Sequence, residues 1–294
     1  MKLSVLRSTT DGSASLYLSV DDRLVSVDAL AAAYGAPELA GLADVGELLR
    51  RGDVVHTRLR DLAPRAQDLE AVAGPVSYAP PVVDPAAVVC VGLNYDAHIA
   101  EAGRTRPERI VLFAKYASSL TGHNEPVLKP AWTHELDYEG ELAVVIGRTA
   151  SKVSPTFAMD YVAGYTIMND ISARDLQRAE PQWIRAKASD SFAPVGPVFV
   201  DIDSAPAIDD LIVRTTVNGE LRQNESCRSM ITQVPELIAH ISQSMTLRPG
   251  DIIATGTPAG VALGMAEPVY LRHGDVVSVS IEGIGELVNT VVDA

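Results

Sequence analysis

Cysteine is almost missing from this sequence. Cys90 and Cys227 lie far apart and no Cys-x-x-Cys pair occurs. That excludes a disulfide scaffold and a cysteine zinc site, and it makes a reduced compartment the expectation. No apolar run approaches the roughly 20 residues needed to span a bilayer. MKLSVLRSTTDG turns polar too soon for a secretory leader. The expectation is a soluble, cytoplasmic protein. Positive charge is also short: 24 Lys and Arg stand against 38 Asp and Glu, a formal net charge of −14. Such a balance repels phosphate backbones and anionic lipid, so neither nucleic acid nor a membrane is expected as a partner. There is no Gly-x-Ser-x-Gly elbow, so a serine-hydrolase triad is not expected. GTPAGVALG and EGIGEL lack the Lys-Ser/Thr ending of a phosphate loop and the strand–turn–helix setting of a dinucleotide fold, so they read as turns.

What is present is a chain of 294 residues, 47% apolar, which suits one large domain or a large domain with a small partner. Residues 1–74 read as a small N-terminal α/β unit. SLYLSV and RLVSV form a hairpin around Asp21-Asp22, VDALAAAYG a helix capped by Ser26 or Asp28 and stopped at Gly35, and ADVGELLRRG a second helix. GPVSYAPPVVDPAA is an extended linker. Residues 75–294 are strand-rich: AVVCVGL, IVLFAK, ELAVVIG, YVAGYTIM, PVFV, IVRTTVNG, DIIATG and DVVSVSIEG are short, β-branched and bounded by turn residues. Helical patterns are fewer, the clearest being NYDAHIAEAG, DISARDLQ and ITQVPELIAHISQSM. Without regular strand–helix alternation the class is α+β, mainly β.

HELDYEGELAVVIGR places Glu139 and Glu141 two residues apart at the mouth of a strand, on one face. Paired carboxylates persist if exposed, if one is protonated, or if a cation lies between them. The apolar run that follows argues against full exposure. Asp170 supplies a third acid, after an apolar strand and before a helical stretch. Three carboxylates without cysteine or paired histidine suit a hard ion, magnesium or manganese. Spacing alone leaves solvated acids as an equal reading.

These segments resemble the fumarylacetoacetate hydrolase superfamily. VVCVGLNYDAHIAEAG, LFAKYASSLTGHNEPV, LDYEGELAVVIGR, GYTIMNDISARDLQ, WIRAKASDSFAPVGP, TTVNGELRQ, LRPGDIIATGTPAGV and HGDVVSVSIEGIGELVN occur in the family's order, over roughly two-thirds of the chain. The resemblance implies a mixed β-sandwich roll, a homodimer, and one divalent ion held by Glu139, Glu141 and Asp170. His98 and Glu101, at i and i+3, fall on one helix face; they match the family's water-activating pair, where spacing alone permits a surface pair. Lys187 matches the lysine that steadies the substrate's carboxylate or oxyanion. Arg174 and Gln177 match pocket residues that bind a carboxylate or hold the loop. Lys115 matches another pocket residue, although Tyr116 stands where the family often has proline. Thr257 either donates to substrate or closes its own TGTP turn.

The implied activity is hydrolysis of a C–C bond in a small 2-oxo acid of the acylpyruvate type through an enolate. The same chemistry serves a decarboxylase or an enol–keto isomerase of a dicarboxylic 2-oxo acid. A sugar-acid binding protein with a vestigial site is a further alternative.

Overall fold

The apolar run after Glu139 is a strand, Gly140–Ile146, buried at every residue. It lies between two cores. Alternate residues of a strand face opposite sides, so Leu142, Val144 and Ile146 enter one hydrophobic cluster with Tyr165, Val213 and Val279. Ala143 and Val145 enter another with Leu3, Leu18, Leu48 and Phe199. In the computed structural model, which describes residues 1–21 and 23–294, this strand is inside a ten-stranded sheet. The path runs Arg23–Ser26, Ala14–Val20, Lys2–Arg7, Val198–Asp201, Val162–Asn169, Gly140–Ile146, Ile252–Ala254, Val88–Gly92, Val111–Lys115. Tyr78–Ala79 pairs with the second half of Lys2–Arg7, whose first half pairs with Val198–Val200. Ile252–Ala254 and Val88–Gly92 run parallel.

A second sheet, Glu220–Ser226, Ile212–Val217, Val276–Ile281, Gly285–Asp293 and Val127–Lys129, packs on the first through the cluster around Leu142. Helices are short and peripheral. The mixed, mainly β architecture expected from the sequence is therefore the one observed, and among the described residues no helix is long and apolar enough to cross a membrane.

Local chemistry explains most boundaries. Helix Val27–Tyr34 is capped by Ser26, whose side chain accepts from Ala29 N, and it ends at Gly35 in the left-handed region. Asp28 instead accepts from Gly41 N at 2.7 Å. The N-terminal hairpin forms between Ala14–Val20 and Arg23–Ser26, although Asp22 of the expected turn lies outside the described residues. The segment DISARDLQ becomes helical only from Arg174, after the two-residue strand Ser172–Ala173. Elements that were not expected include the strands Lys2–Arg7, Val127–Lys129, Glu220–Ser226 and Gly285–Asp293 and the helices Asp53–Leu62 and Ile184–Lys187.

Helix Asp53–Leu62 is fastened to the large sheet by charge. Asp201, fully buried at the end of its strand, receives Arg60 Nη2 at 3.1 Å on both oxygens and faces His56 Nε2 at 2.7 Å. Burial by itself would raise the Asp201 carboxyl, but the hydrogen bonds and charges of His56 and Arg60 outweigh it and hold it below its ordinary value. A lowered acid contributes stability that is present above its unfolded value and lost as pH falls through the folded one. Asp201→Asn should therefore destabilise the protein by about 3 kcal/mol, the lower end for breaking a buried pair because Arg60 is partly exposed. It should also flatten the acid limb of a pH–melting curve. A variant that melts like the parent at both pH 7 and pH 4 would remove this fastening from the account.

Candidate active site

Register builds the acidic cluster. Gly140 is paired with Asn169 in the antiparallel ladder, so the residues just outside the pair, Glu139 and Asp170, meet at the strand ends. Asp170 N–H donates to Glu139 O at 2.8 Å, and Glu139 N–H donates to Asn169 Oδ1 at 3.0 Å. Glu141 is paired with Met168 and shares the face of Glu139. The residue between the glutamates points the other way, into the second sheet, where a Cβ would collide with Thr215 Oγ1. Glycine at 140 is thus what lets the two sheets close behind the acids.

One oxygen from each of Glu139, Glu141 and Asp170 lies within 4.8 Å of the others, and all three residues are buried. Three cations surround them. Lys187 Nζ donates to Glu139 Oε2 at 2.8 Å and to Asp170 Oδ2 at 3.0 Å. Arg174 Nη1 meets Glu139 Oε1 at 2.6 Å, and its Nε donates to Asp137 Oδ2 at 2.8 Å. Lys115 Nζ stands 2.8 Å from Asp170 Oδ1. Its protons, however, go to the carbonyls of Ile171, Lys187 and Phe192. Asp170 Oδ1 consequently sits beside a positive charge but accepts no hydrogen bond.

The three acids differ in character. Burial would raise Glu139, but Lys187, Arg174 and His98 together hold it well below the ordinary carboxylate range. Glu141 goes the other way: burial, then the charges of Asp170 and Glu139, push it well above its usual value, against the N–H of Gly256 at 2.8 Å. Burial acts to lower Lys187, and Asp170 and Glu139 reverse that and raise it. An all-oxygen donor set, one oxygen without a donor, and one carboxylate pushed upward by burial and its neighbours' charges fit a hard divalent ion.

The cluster opens on a tight cavity of about 30 Å³ lined by His98, Arg104, Glu139, Arg174, Gln177, Lys187 and Thr257, with Phe113, Trp183 and Leu263 as apolar wall. His98 lies on the helix Asp96–Glu101, its Nδ1 2.8 Å from Glu101 Oε1. With the Glu101 carboxylate as acceptor, Nδ1 carries the donated proton, and in the neutral imidazole Nε2 then bears the lone pair. Glu101 Oε2 accepts from Gly260 N at 2.8 Å, and Gly264 leaves the room that side chain needs. Arg174 Nη2 is buried without a partner. Gln177 accepts from Arg174 Nη1 at 2.9 Å, and its amide N–H groups donate to nothing among the described residues.

Six of the ten sequence candidates line this cavity: His98, Glu139, Arg174, Gln177, Lys187 and Thr257. Glu141 and Asp170 lie beneath it in the acid cluster, and Glu101 stands behind His98. Lys115 is also beneath the cavity rather than on its wall. Thr257 is on the wall, but its one proton goes to Gly140 O at 2.9 Å. Asp137 was missed in the sequence. It anchors Arg174 and accepts from Ala262 N at 2.9 Å and Leu263 N at 3.1 Å. The parity that selected Glu139 and Glu141 extends to Asp137 and could have found it.

Residues 87–292 match the family model described as fumarylacetoacetate (FAA) hydrolase, C-terminal. The chain is 42% identical over 256 residues to oxaloacetate tautomerase YisK of Bacillus subtilis, covering 83% of this chain and 85% of that one. Among solved structures it is similar to a fumarylacetoacetate hydrolase from psychrophilic Exiguobacterium antarcticum, at 38% identity and a TM-score of 0.84, with all of both chains covered. It is also similar to maleylpyruvate hydrolase from Sphingobium sp. SYK-6, at 30% identity and a TM-score of 0.81, again over the whole of both chains.

Because Glu141 is crowded by two charges, Glu141→Gln should leave the metal-free protein at least as stable as the parent. It should abolish the melting-temperature rise that a divalent ion gives, which at about 100 times Kd corresponds to roughly 2.7 kcal/mol. A glutamine variant still stabilised by manganese to the parental degree would remove Glu141 from the ion's ligands.

Proposed function

The chain belongs to the fumarylacetoacetate hydrolase family, and from that premise we propose that it is a divalent-metal-dependent enol–keto tautomerase of a four-carbon dicarboxylic 2-oxo acid, oxaloacetate. The observation that carries this reading is the placement of a free imidazole nitrogen, His98 Nε2, on the same small cavity as the buried carboxylates and the unpartnered Arg174 Nη2. The similarity to a tautomerase over most of both chains supports it.

Glu139, Glu141 and Asp170 would hold the ion, which magnesium or manganese fits; bound there, it supplies Lewis acidity for the 2-oxo group. Arg174 Nη2 and the Gln177 amide donate to the adjacent carboxylate. Lys187, kept charged by its two carboxylates, faces the oxygen on which negative charge develops. In the keto-to-enol direction His98 Nε2 takes a proton from C3. The C–H pair becomes the C2–C3 double bond, and the carbonyl pair moves to the 2-oxygen, which then takes up a proton. Glu101 holds the imidazole in the tautomer this needs and steadies the imidazolium. The reverse sequence returns the enol to the ketone.

A hydrolase reading is favoured by the same dyad, which can equally take a proton from water, and by the similarity to maleylpyruvate hydrolase. The two separate in one assay. With magnesium, the tautomerase should accelerate the change in ultraviolet absorbance of freshly dissolved enol-oxaloacetate without releasing pyruvate. Acetylpyruvate should stay intact. Magnesium-dependent pyruvate from acetylpyruvate would replace the tautomerase by the hydrolase. His98→Ala should cut kcat on the order of 10²–10⁴-fold, the usual worth of a positioned base, while calorimetric manganese binding persists. Full activity in that variant would rule out His98 as the base.

A further inference from the structure

Among the cations lining the cavity, Lys187 and Arg174 are tied to Glu139, Asp170 and Asp137. Arg104 is different. It lines the same cavity, its side chain is exposed, and its guanidinium takes part in no ion pair or hydrogen bond among the described residues. An arginine fork offers two parallel N–H donors matched to a carboxylate. The neighbouring Arg106 and Arg109 line another cavity, and Arg106 lies 3.9 Å from Asp96.

The backbone fixes Arg104 to the helix that carries His98. Ala102 N–H returns to His98 O at 3.1 Å, Gly103 turns left-handed at φ 63°, and Arg104 N–H returns to Ile99 O at 3.0 Å. This closes the last turn of Asp96–Glu101 and holds Arg104 one step past it. The Arg104 and His98 backbones are therefore parts of one turn. Both residues line the tight cavity, about 30 Å³, that opens on the acids.

We propose that Arg104 is the specificity determinant for the distal carboxylate: a 2-oxo acid with a second carboxylate bridges from the acid cluster to Arg104 and thereby seats His98 over C3. A 2-oxo acid with an uncharged tail fills the chelating end but makes no such bridge. This rests on the tautomerase reading for the identity of the reaction, though not for the binding contrast.

The test compares the parent with Arg104→Gln and Arg104→Lys, all loaded with magnesium. Calorimetry measures two probes: 3,3-difluoro-oxaloacetate, which keeps both carboxylates and has no C3 proton to move, and oxalate, which keeps only the chelating end. The expected result is a loss of roughly tenfold or more in affinity for the difluoro diacid in Arg104→Gln, a smaller loss in Arg104→Lys, and oxalate binding held. In turnover, KM for enol-oxaloacetate should rise more than kcat falls. Equal losses for both probes would make Arg104 a structural part of the helix turn and overturn the proposal, as would no loss for either. A parent that binds the diacid with this contrast but turns over no oxaloacetate would leave Arg104 in place and refute the tautomerase reading.

Discussion

Three buried carboxylates crowded into one small space set the terms for the surrounding structure. Glu139, Glu141 and Asp170 are brought together by strand register, and the repulsion between them has to be met locally. Lys187 and Arg174 do so from above and carry their own second ties. Lys115 does so from below, spending its protons on three carbonyls of segments that converge there. Each cation thus both neutralises an acid and fastens a loop, so the electrostatics of the site and the shape of its walls are one problem. A divalent ion held there would add the remaining positive charge, and Glu141 is the member whose state would depend most on it.

Much of this was legible in the sequence where the chemistry is local. Strand parity and position after an apolar strand offered Glu139, Glu141 and Asp170 as one of two equal readings, helix spacing offered His98 and Glu101 only as a pair on one face, and the family resemblance singled them out. The part that was not legible depends on distant segments. The seat of Lys115 is made by carbonyls from residues 171, 187 and 192, which no local pattern links. The engagement of the Thr257 hydroxyl depends on Gly140 and Gln223, from two other strands. In the fold, Lys2–Arg7 went unread because four consecutive residues are buried and alternation is lost. Gly285–Asp293 does alternate, but it begins in a glycine-rich stretch that reads as a turn. Helix Asp53–Leu62 buries only Leu59 and Leu62, too little for an apolar stripe.

The side opposite the acids is governed by a loop. Gly260 is held from both directions, its N–H by Glu101 and its carbonyl by the Tyr138 hydroxyl at 2.9 Å. Asp137 takes the next N–H groups along, at Ala262 and Leu263. The segment that binds the far end of Glu101 is therefore anchored in the same short stretch, residues 137 to 141, that bears two of the acids. Glu101, which holds His98, and the acids share a foundation, so their separation is set by a few bonds rather than by the whole domain.

The strand Lys2–Arg7 has a consequence for synthesis. Its partners are residues 14–18 on one edge and residues 78–79 and 198–200 on the other. On the ribosome it emerges well before its last partner, which is nearly two hundred residues behind. At about 5–20 residues per second, that is a wait of roughly ten to forty seconds. During the wait the edge that will join Val198–Val200 is open, with Leu3 and Val5 beside it. Lys2–Arg7 is therefore a stretch for which a nascent-chain chaperone has both the reason and the time to act.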